Sequence, residues 1–228
     1  IDLVLGELPP SGHPVVLMGK FIDFSKNFKD KHPSLDTRLY GTASAILIIA
    51  VFTTLFTLAI YLTNFNAPIF ILVSSILLST TFAVKVLLDS AEKMRKYLDE
   101  DLDLARRSVS YLVSRDTSEL SVEEVVSATI ETLTENIADS VVSPLFYAFI
   151  FGVPGAVAYR AVNTMDAMLG YKDPETLKIG WFPAKLDDFL NYIPARLTGI
   201  LVTLAALLMG LNWRNAYSIM MRDARKTP

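Results

Sequence analysis

The sequence predicts an all-α, polytopic integral membrane protein in which transmembrane helices alternate with amphipathic cytoplasmic helices, and three observations carry that prediction. Of its 228 residues, 52% are hydrophobic and the mean hydropathy is positive at +0.39, more apolar than a soluble chain of this length requires for its core. One run, "GTASAILIIAVFTTLFTLAIYLT", Gly41 to Thr63, carries no charge. At about 23 residues it is long enough to cross a bilayer of roughly 30 Å as a helix. The polar remainder is periodic at helical spacing.

The chain reads as one membrane domain over 1–228, and its parts follow in order. The opening "IDLVLGELPP" has no basic leader or initiating Met, so the chain is expected to begin inside a longer protein. After the first span, the short "NFNAP" allows only a tight reversal. "IFILVSSILLSTTFAV", Ile69 to Val84, then returns across the membrane, making 41–84 a spanning hairpin. The block Lys85 to Asp139 carries seven Lys or Arg and thirteen Asp or Glu, too polar for lipid; 85–140 is expected as amphipathic helices broken at "SRDTSELS". Ser121 and Glu124 form a capping box that opens the second of these helices. Val122, Val126, Ile130, Leu133 and Ile137 make its apolar stripe, while Glu131, Glu135 and Asp139, four apart, share another face with Asn136 at its edge.

The last part, 141–228, is punctuated. "VVSPLFYAFIFGVPGAVAY" is apolar but holds Pro144, Gly152, Pro154 and Gly155, breakers that suit a broken or re-entrant segment better than a lipid-facing rod. A polar block, Arg160 to Arg196, precedes a final apolar run, Leu197 to Trp213, just long enough to cross. The tail "RDARKTP" stops without a cap.

Charge distribution sets orientation. Five Lys or Arg before Gly41 and seven in the block after Val84 place both flanks in the cytoplasm and the "NFN" turn outside. If Val141–Tyr159 spanned fully, the five basic residues of Arg160–Arg196 would land outside. A segment that dips in and returns removes that conflict. A net charge of −3 gives no basic field, so nucleic acid is not an expected partner. With no Cys and only His13 and His32, thiolate and His-rich metal sites are excluded, leaving oxygen ligands. No P-loop or nucleophile elbow is present.

Several constellations carry chemistry, each beside a plainer reading. "ETLTENIAD" is either a solvated acidic face or an ion site, and its run into an apolar segment favours the second, because Asp139 loses solvation there unless a cation or donor meets it. In "YRAVNTMDAMLGYK", Ala161, Met165 and Met168 read as helix core, with Gly170 as the stop. Asn163 and Asp166, three apart, can serve as oxygen ligands, with Arg160 and Lys172 for phosphate or carboxylate groups. "AKLDDFLNYIPAR" has Leu186, Phe189, Leu190 and Ile193 as its core stripe, leaving Lys185, Asp188 and Asp187 polar. Adjacent Asp residues point about 100° apart, so at most one of them faces a given ion. Arg196, at the start of an apolar run, either snorkels or holds an anion. Ser114, Arg115, Asp116 and Thr117 form either a turn with a helix cap or a loop over phosphates.

Taken in order, "LGELPP", "HPVVLMGKFI", "LVSRDTSEL", "ATIETLTENIADSVVSPLFY", "GVPGAVAYRAVNTMDAMLGYK" and "AKLDDFLNYIPARLTG" closely resemble the CobD/CbiB family of cobalamin-biosynthesis membrane proteins, over essentially the whole chain. The resemblance implies an adenosylcobinamide-phosphate synthase of the cell membrane with its site facing the cytoplasm. Such an enzyme joins a corrinoid carboxylate, adenosylcobyric acid, to aminopropanol phosphate through an amide, consuming ATP with Mg²⁺. That chemistry needs a metal between crowded anions, cations on phosphates and a proton acceptor. Glu135, Asn136, Asp139, Asp166, Asp187 and Asp188 are then the catalytic candidates, with Glu135, Asp139 and Asp166 as metal ligands. Ser114, Arg115, Asp116, Thr117, Arg160, Asn163, Lys172, Lys185 and Arg196 are the substrate and phosphate candidates. The rival class is a transporter whose intramembrane Asp139 and Asp166 bind a coupling ion.

Overall fold

The computed structural model describes residues 1–6, 8–9, 12–111, 116–169 and 177–223. Among them the regular structure is helical, with no strand. Four stretches, Thr37–Thr63, Ala67–Glu100, Val122–Leu169 and Trp181–Leu208, are long and apolar enough to cross a membrane; this is a helical polytopic membrane protein.

A short helix α1 (Asp2–Leu5) precedes α2 (Pro14–Lys31). Pro14 fits the first turn of α2, where its missing N–H costs nothing. The His13 ring accepts the Val15 N–H at 3.2 Å. The first span is α3 (Thr37–Thr63), opened by Asp36, whose carboxylate accepts the Leu39 N–H at 2.8 Å. Met18 and Ile22 of α2, Ala45, Ile48 and Phe52 of α3, and Val157, Ala161 and Met165 further along form the main core. Asn66 caps α4 (Ala67–Ser79) through the Ile69 N–H.

The return span is not continuous through Val84, as the sequence led us to expect. Helix stops at Ser79 and resumes at α5 (Val84–Glu100). The Thr80 and Thr81 hydroxyls bond back to the Leu77 and Leu78 carbonyls at 2.8 and 2.7 Å, competing with the helical ladder. The backbone freed by the break finds partners elsewhere. The Val84 and Lys85 N–H groups donate to the Asp2 carboxylate at 2.9 and 3.1 Å, and the Ala83 N–H donates to the Ser140 carbonyl at 3.0 Å.

The amphipathic block holds one more break than its sequence suggested. Asp101 ends α5 and caps α6 (Leu102–Val109) through the Asp103 N–H. The capping box of α7 (Val122–Ile137) forms as expected, with Ser121 and Glu124 exchanging hydrogen bonds of 3.3 and 2.8 Å. Met94, Ala105, Val109, Val125 and Ala128 make a second core among α5, α6 and α7. The stripe expected on α7 is corrected: Val122 and Ile130 are exposed, and the buried face is Val125, Ala128 and Thr129. Small residues admit the neighbouring helices closely, while bulky apolar ones turn outward.

After α7 the chain loosens into a π-helical turn, Ala138–Val142, then continues as α8 (Ser143–Leu169). Gly152 interrupts α8 at φ 69° and ψ −167°, a left-handed value open to glycine and strained for other residues. The chain reverses there. The Tyr147 and Tyr159 rings stack with centroids 5.3 Å apart, whereas twelve residues of straight helix rise about 18 Å. A Cβ on Gly155 would stand 2.7 Å from the Tyr147 carbonyl oxygen. Residues 143–151 and 153–169 are thus the two arms of a helical hairpin, and the breakers do what the sequence implied.

One helix, α9 (Trp181–Leu208), absorbs both the end of the polar block and most of the run from Leu197, and α10 (Trp213–Asp223) follows it. Pro194 lies inside α9. Its missing N–H leaves the Leu190 carbonyl without its helical donor, and the Tyr147 hydroxyl supplies one at 2.8 Å. The expected core stripe of α9 is likewise overturned: Phe189 is 75% and Ile193 58% exposed, while Pro183, Asp187, Pro194 and Thr198 are buried. Gly41 packs against the Ile179 backbone and the Arg38 guanidinium lies 4.4 Å over the Trp181 ring. The start of α9 therefore lies at the same end of the molecule as the start of α3.

Candidate functional site

The polar site is built where the π-turn, the returning arm of α8 and the first third of α9 meet. The Ser140 carbonyl is spare because the residue four ahead is Pro144, which has no N–H to give it; the Ala83 N–H takes its place, and the π-turn carries Asp139 beside it. Asp139 lies within electrostatic reach of Glu135, Asp166 and Arg160 and interacts with the Asn163 side chain. Asp166 in turn feels Glu135 and Asp188, and Asp187 feels Asp139 and Asp166 and approaches Asn163. Among the described residues Arg160 is the cation of the group, its Nη1 donating to Asn163 Oδ1 at 3.2 Å and to Ser140 Oγ at 3.5 Å.

Asp187 is 7% exposed. Its Oδ2 accepts from Asn191 Nδ2 at 2.8 Å, while its buried Oδ1 accepts no hydrogen bond of ordinary geometry from the described residues. Asn191 Oδ1 accepts from both Ser143 Oγ, at 2.7 Å, and Tyr159 Oη, at 2.8 Å. On one side of this network Tyr147, Tyr159, Leu186 and Leu190, with Ile49 and Thr53 of α3, border an apolar cavity of about 400 Å³.

The structure therefore brings together Glu135, Asp139, Arg160, Asn163, Asp166 and Asp187 from positions far apart in sequence, with Asp188 on the rim. Asp188 is exposed and pairs with Lys185 at 3.1 Å. Other candidates are engaged elsewhere. Asn136 turns its amide back to the Thr132 carbonyl of its own helix at 2.9 Å. Arg196 is exposed, stacked 3.5 Å over Tyr192 and donating to that residue's carbonyl. Thr117 is buried and donates to the Arg106 carbonyl. Asp116 accepts from the Ser118 N–H and hydroxyl, bonds that hold its carboxyl below the usual carboxylate range. Both serve the loop itself. Ser114, Arg115, Lys172 and Gly170 lie outside the described residues.

Asn191, Ser143 and Tyr159 did not stand out in the sequence. The signal for Asn191 was its place four residues after Asp187, hence on the same helix face. Among the described residues no three Asp, Glu or His close around one point as a ready-made metal cage. The donor set nonetheless suits Mg²⁺, which takes one or two carboxylates and fills its shell with water and substrate phosphate. Carboxylates that repel one another are what such an ion neutralises.

A family model described as CobD/Cbib protein matches residues 1–228. Similar chains include a probable cobalamin biosynthesis protein CobD of Methanothermobacter thermautotrophicus, 50% identical over all of this chain and 74% of that one. Another, of Pyrococcus furiosus, is 46% identical over 88% of this chain and 68% of its own. A cobalamin biosynthesis protein CobD of Clostridium tetani is 37% identical over 99% of this chain and 72% of its own. No solved structure matches.

Proposed function

The chain belongs to the CobD/CbiB family, a family of cobalamin biosynthesis, and on that premise we propose that it is the ATP-dependent ligase that joins adenosylcobyric acid to aminopropanol phosphate. The observation that carries the reading is the convergence of Asp139, Asp166 and Asp187 beside Arg160 at the base of a membrane hairpin. A carboxylate is a poor acyl donor. In the proposed reaction its oxygen attacks the γ-phosphorus of ATP, the bond to ADP breaks, and an acyl phosphate forms. The amine nitrogen then attacks the acyl carbon, phosphate leaves with the bonding pair, and the ammonium proton passes to a base.

Each step asks for something this chain offers. One or two of Asp139, Asp166 and Glu135 would hold Mg²⁺, which would supply charge neutralisation to the phosphates. Arg160, with its planar fork, is placed to meet phosphoryl oxygens beside them. Asp187, buried with one oxygen that accepts no hydrogen bond of ordinary geometry from the described residues, is the group in this reading that takes the amine's proton. The apolar cavity beside Tyr159 suits the apolar flank of an amphipathic substrate.

Detergent-solubilised protein supplied with adenosylcobyric acid, aminopropanol phosphate, Mg²⁺ and ATP should yield ADP and the amide in equal amounts. A transporter reading draws on the hairpin broken at Gly152, since broken helices build ion sites in such proteins. Ion uptake into vesicles without ATP turnover or amide product would replace the ligase reading with that one.

A further inference from the structure

We propose that Asn191 is a positioning residue that holds Asp187 with one carboxylate oxygen presented to the reacting amine; this rests on the ligase reading above. Two hydroxyl donors, Ser143 and Tyr159, converge on one side of the Asn191 amide. An ionised carboxylate only accepts, so the amide nitrogen must face Asp187, which leaves the amide oxygen to accept from both hydroxyls. Ser143 and Tyr159 are themselves 0% and 1% exposed, so no water competes for their protons. The Nδ2–Oδ2 bond of 2.8 Å then occupies one oxygen of Asp187, and the buried Oδ1 accepts no hydrogen bond of ordinary geometry from the described residues, with the Asn163 side chain close by. As the amine nitrogen bonds to the acyl carbon and the carbon–oxygen bond to phosphate breaks, the proton leaving nitrogen passes to that Oδ1.

The plainer role for Asn191 is glue between α8 and α9, and substitution separates the two. Asn191→Leu keeps the shape of the side chain but removes the donor to Asp187 together with the acceptor for Ser143 and Tyr159, and Ser143→Ala, which loses a bond to α9 but keeps that donor, is its control. In the full-length protein in detergent, three products are followed alongside the melting temperature. These are ADP, the amide, and the hydroxamate formed when hydroxylamine replaces the amine. Hydroxylamine is a strong nucleophile that is unprotonated at neutral pH and needs no base.

Asn191→Leu should melt no lower than the Ser143→Ala control by more than a few degrees and form ADP and hydroxamate within about threefold of the wild type. Its amide rate should fall at least about tenfold with the Michaelis constant for aminopropanol phosphate unchanged, toward the 10²–10⁴ that a general base contributes. Should that variant melt early, Asn191→Ser, which adds no charge and is too short to reach Asp187, is read in the same way. Wild-type amide formation, or hydroxamate and amide falling together, overturns the proposal. A wild type that forms neither ADP nor hydroxamate removes the ligase reading and this inference with it. Hydroxamate from the wild type leaves the ligase reading standing, and a selective loss of amide in the variant is then assigned to Asn191 alone.

Discussion

Single side chains separate the site from its surroundings. Asp139→Asn should raise the Mg²⁺ concentration needed for half-maximal turnover by at least about tenfold, on the scale of losses at metal sites, while leaving corrinoid binding near wild type. An unchanged Mg²⁺ requirement returns Asp139 to a plain helix face. Two arginines make a matched pair. Arg160→Lys loses the planar guanidinium, whose Nη1 donates to both Asn163 and Ser140, and should raise the Michaelis constant for one phosphorylated substrate. Arg196→Lys should give wild-type kinetics, because a lysine snorkels beside Tyr192 equally well. Equal defects in the two variants would put Arg196 back among the phosphate ligands.

Among the elements, the hairpin of α8 is the one whose geometry has a single-residue test. Gly152→Ala places a Cβ on a left-handed backbone and should cost about 1–2 kcal/mol, read as a lower unfolding midpoint in detergent. No shift would mean that the reversal at Gly152 is absent in solution. The reversal was legible in the sequence because Pro144, Gly152, Pro154 and Gly155 cluster within an apolar run. The acidic residues of the site were legible for a related reason, since charges next to such a run demand an explanation. The buried faces of α7 and α9 were not. Reading bulky residues as core is sound for a soluble helix, but here Ile130, Phe189 and Ile193 face outward and Ala128, Thr129 and Asp187 face inward. Along α9 the reason is lipid, where burial follows close packing and polar pairing more than hydropathy; on α7 it is the close approach of α5 and α6, which only small residues admit. The break at Thr80 was hidden as well, because four apolar or hydroxylic residues in a row look like continuing helix.

For the whole molecule, the reversal in α8 settles which polar segments share an end. With α9 starting beside Arg38, the basic residues before Gly41, those after Val84 and those of the Arg160–Arg196 block can all lie on one membrane side. The chain has no Cys, so single cysteines report cleanly. Asn64→Cys should be labelled from one side only, and Ser118→Cys and Trp181→Cys from the other. Labelling of Asn64→Cys and Ser118→Cys from the same side would overturn this arrangement. The bond between the Ala83 N–H and the Ser140 carbonyl also bears on how the protein is made. During synthesis Ala83, at the end of the break after Ser79, is made 57 residues before Ser140, and beside Lys85, at the membrane edge, water can serve the Ala83 N–H in the meantime. The end of the second span therefore acquires its protein acceptor only when the π-turn arrives, so the hairpin and the site settle together.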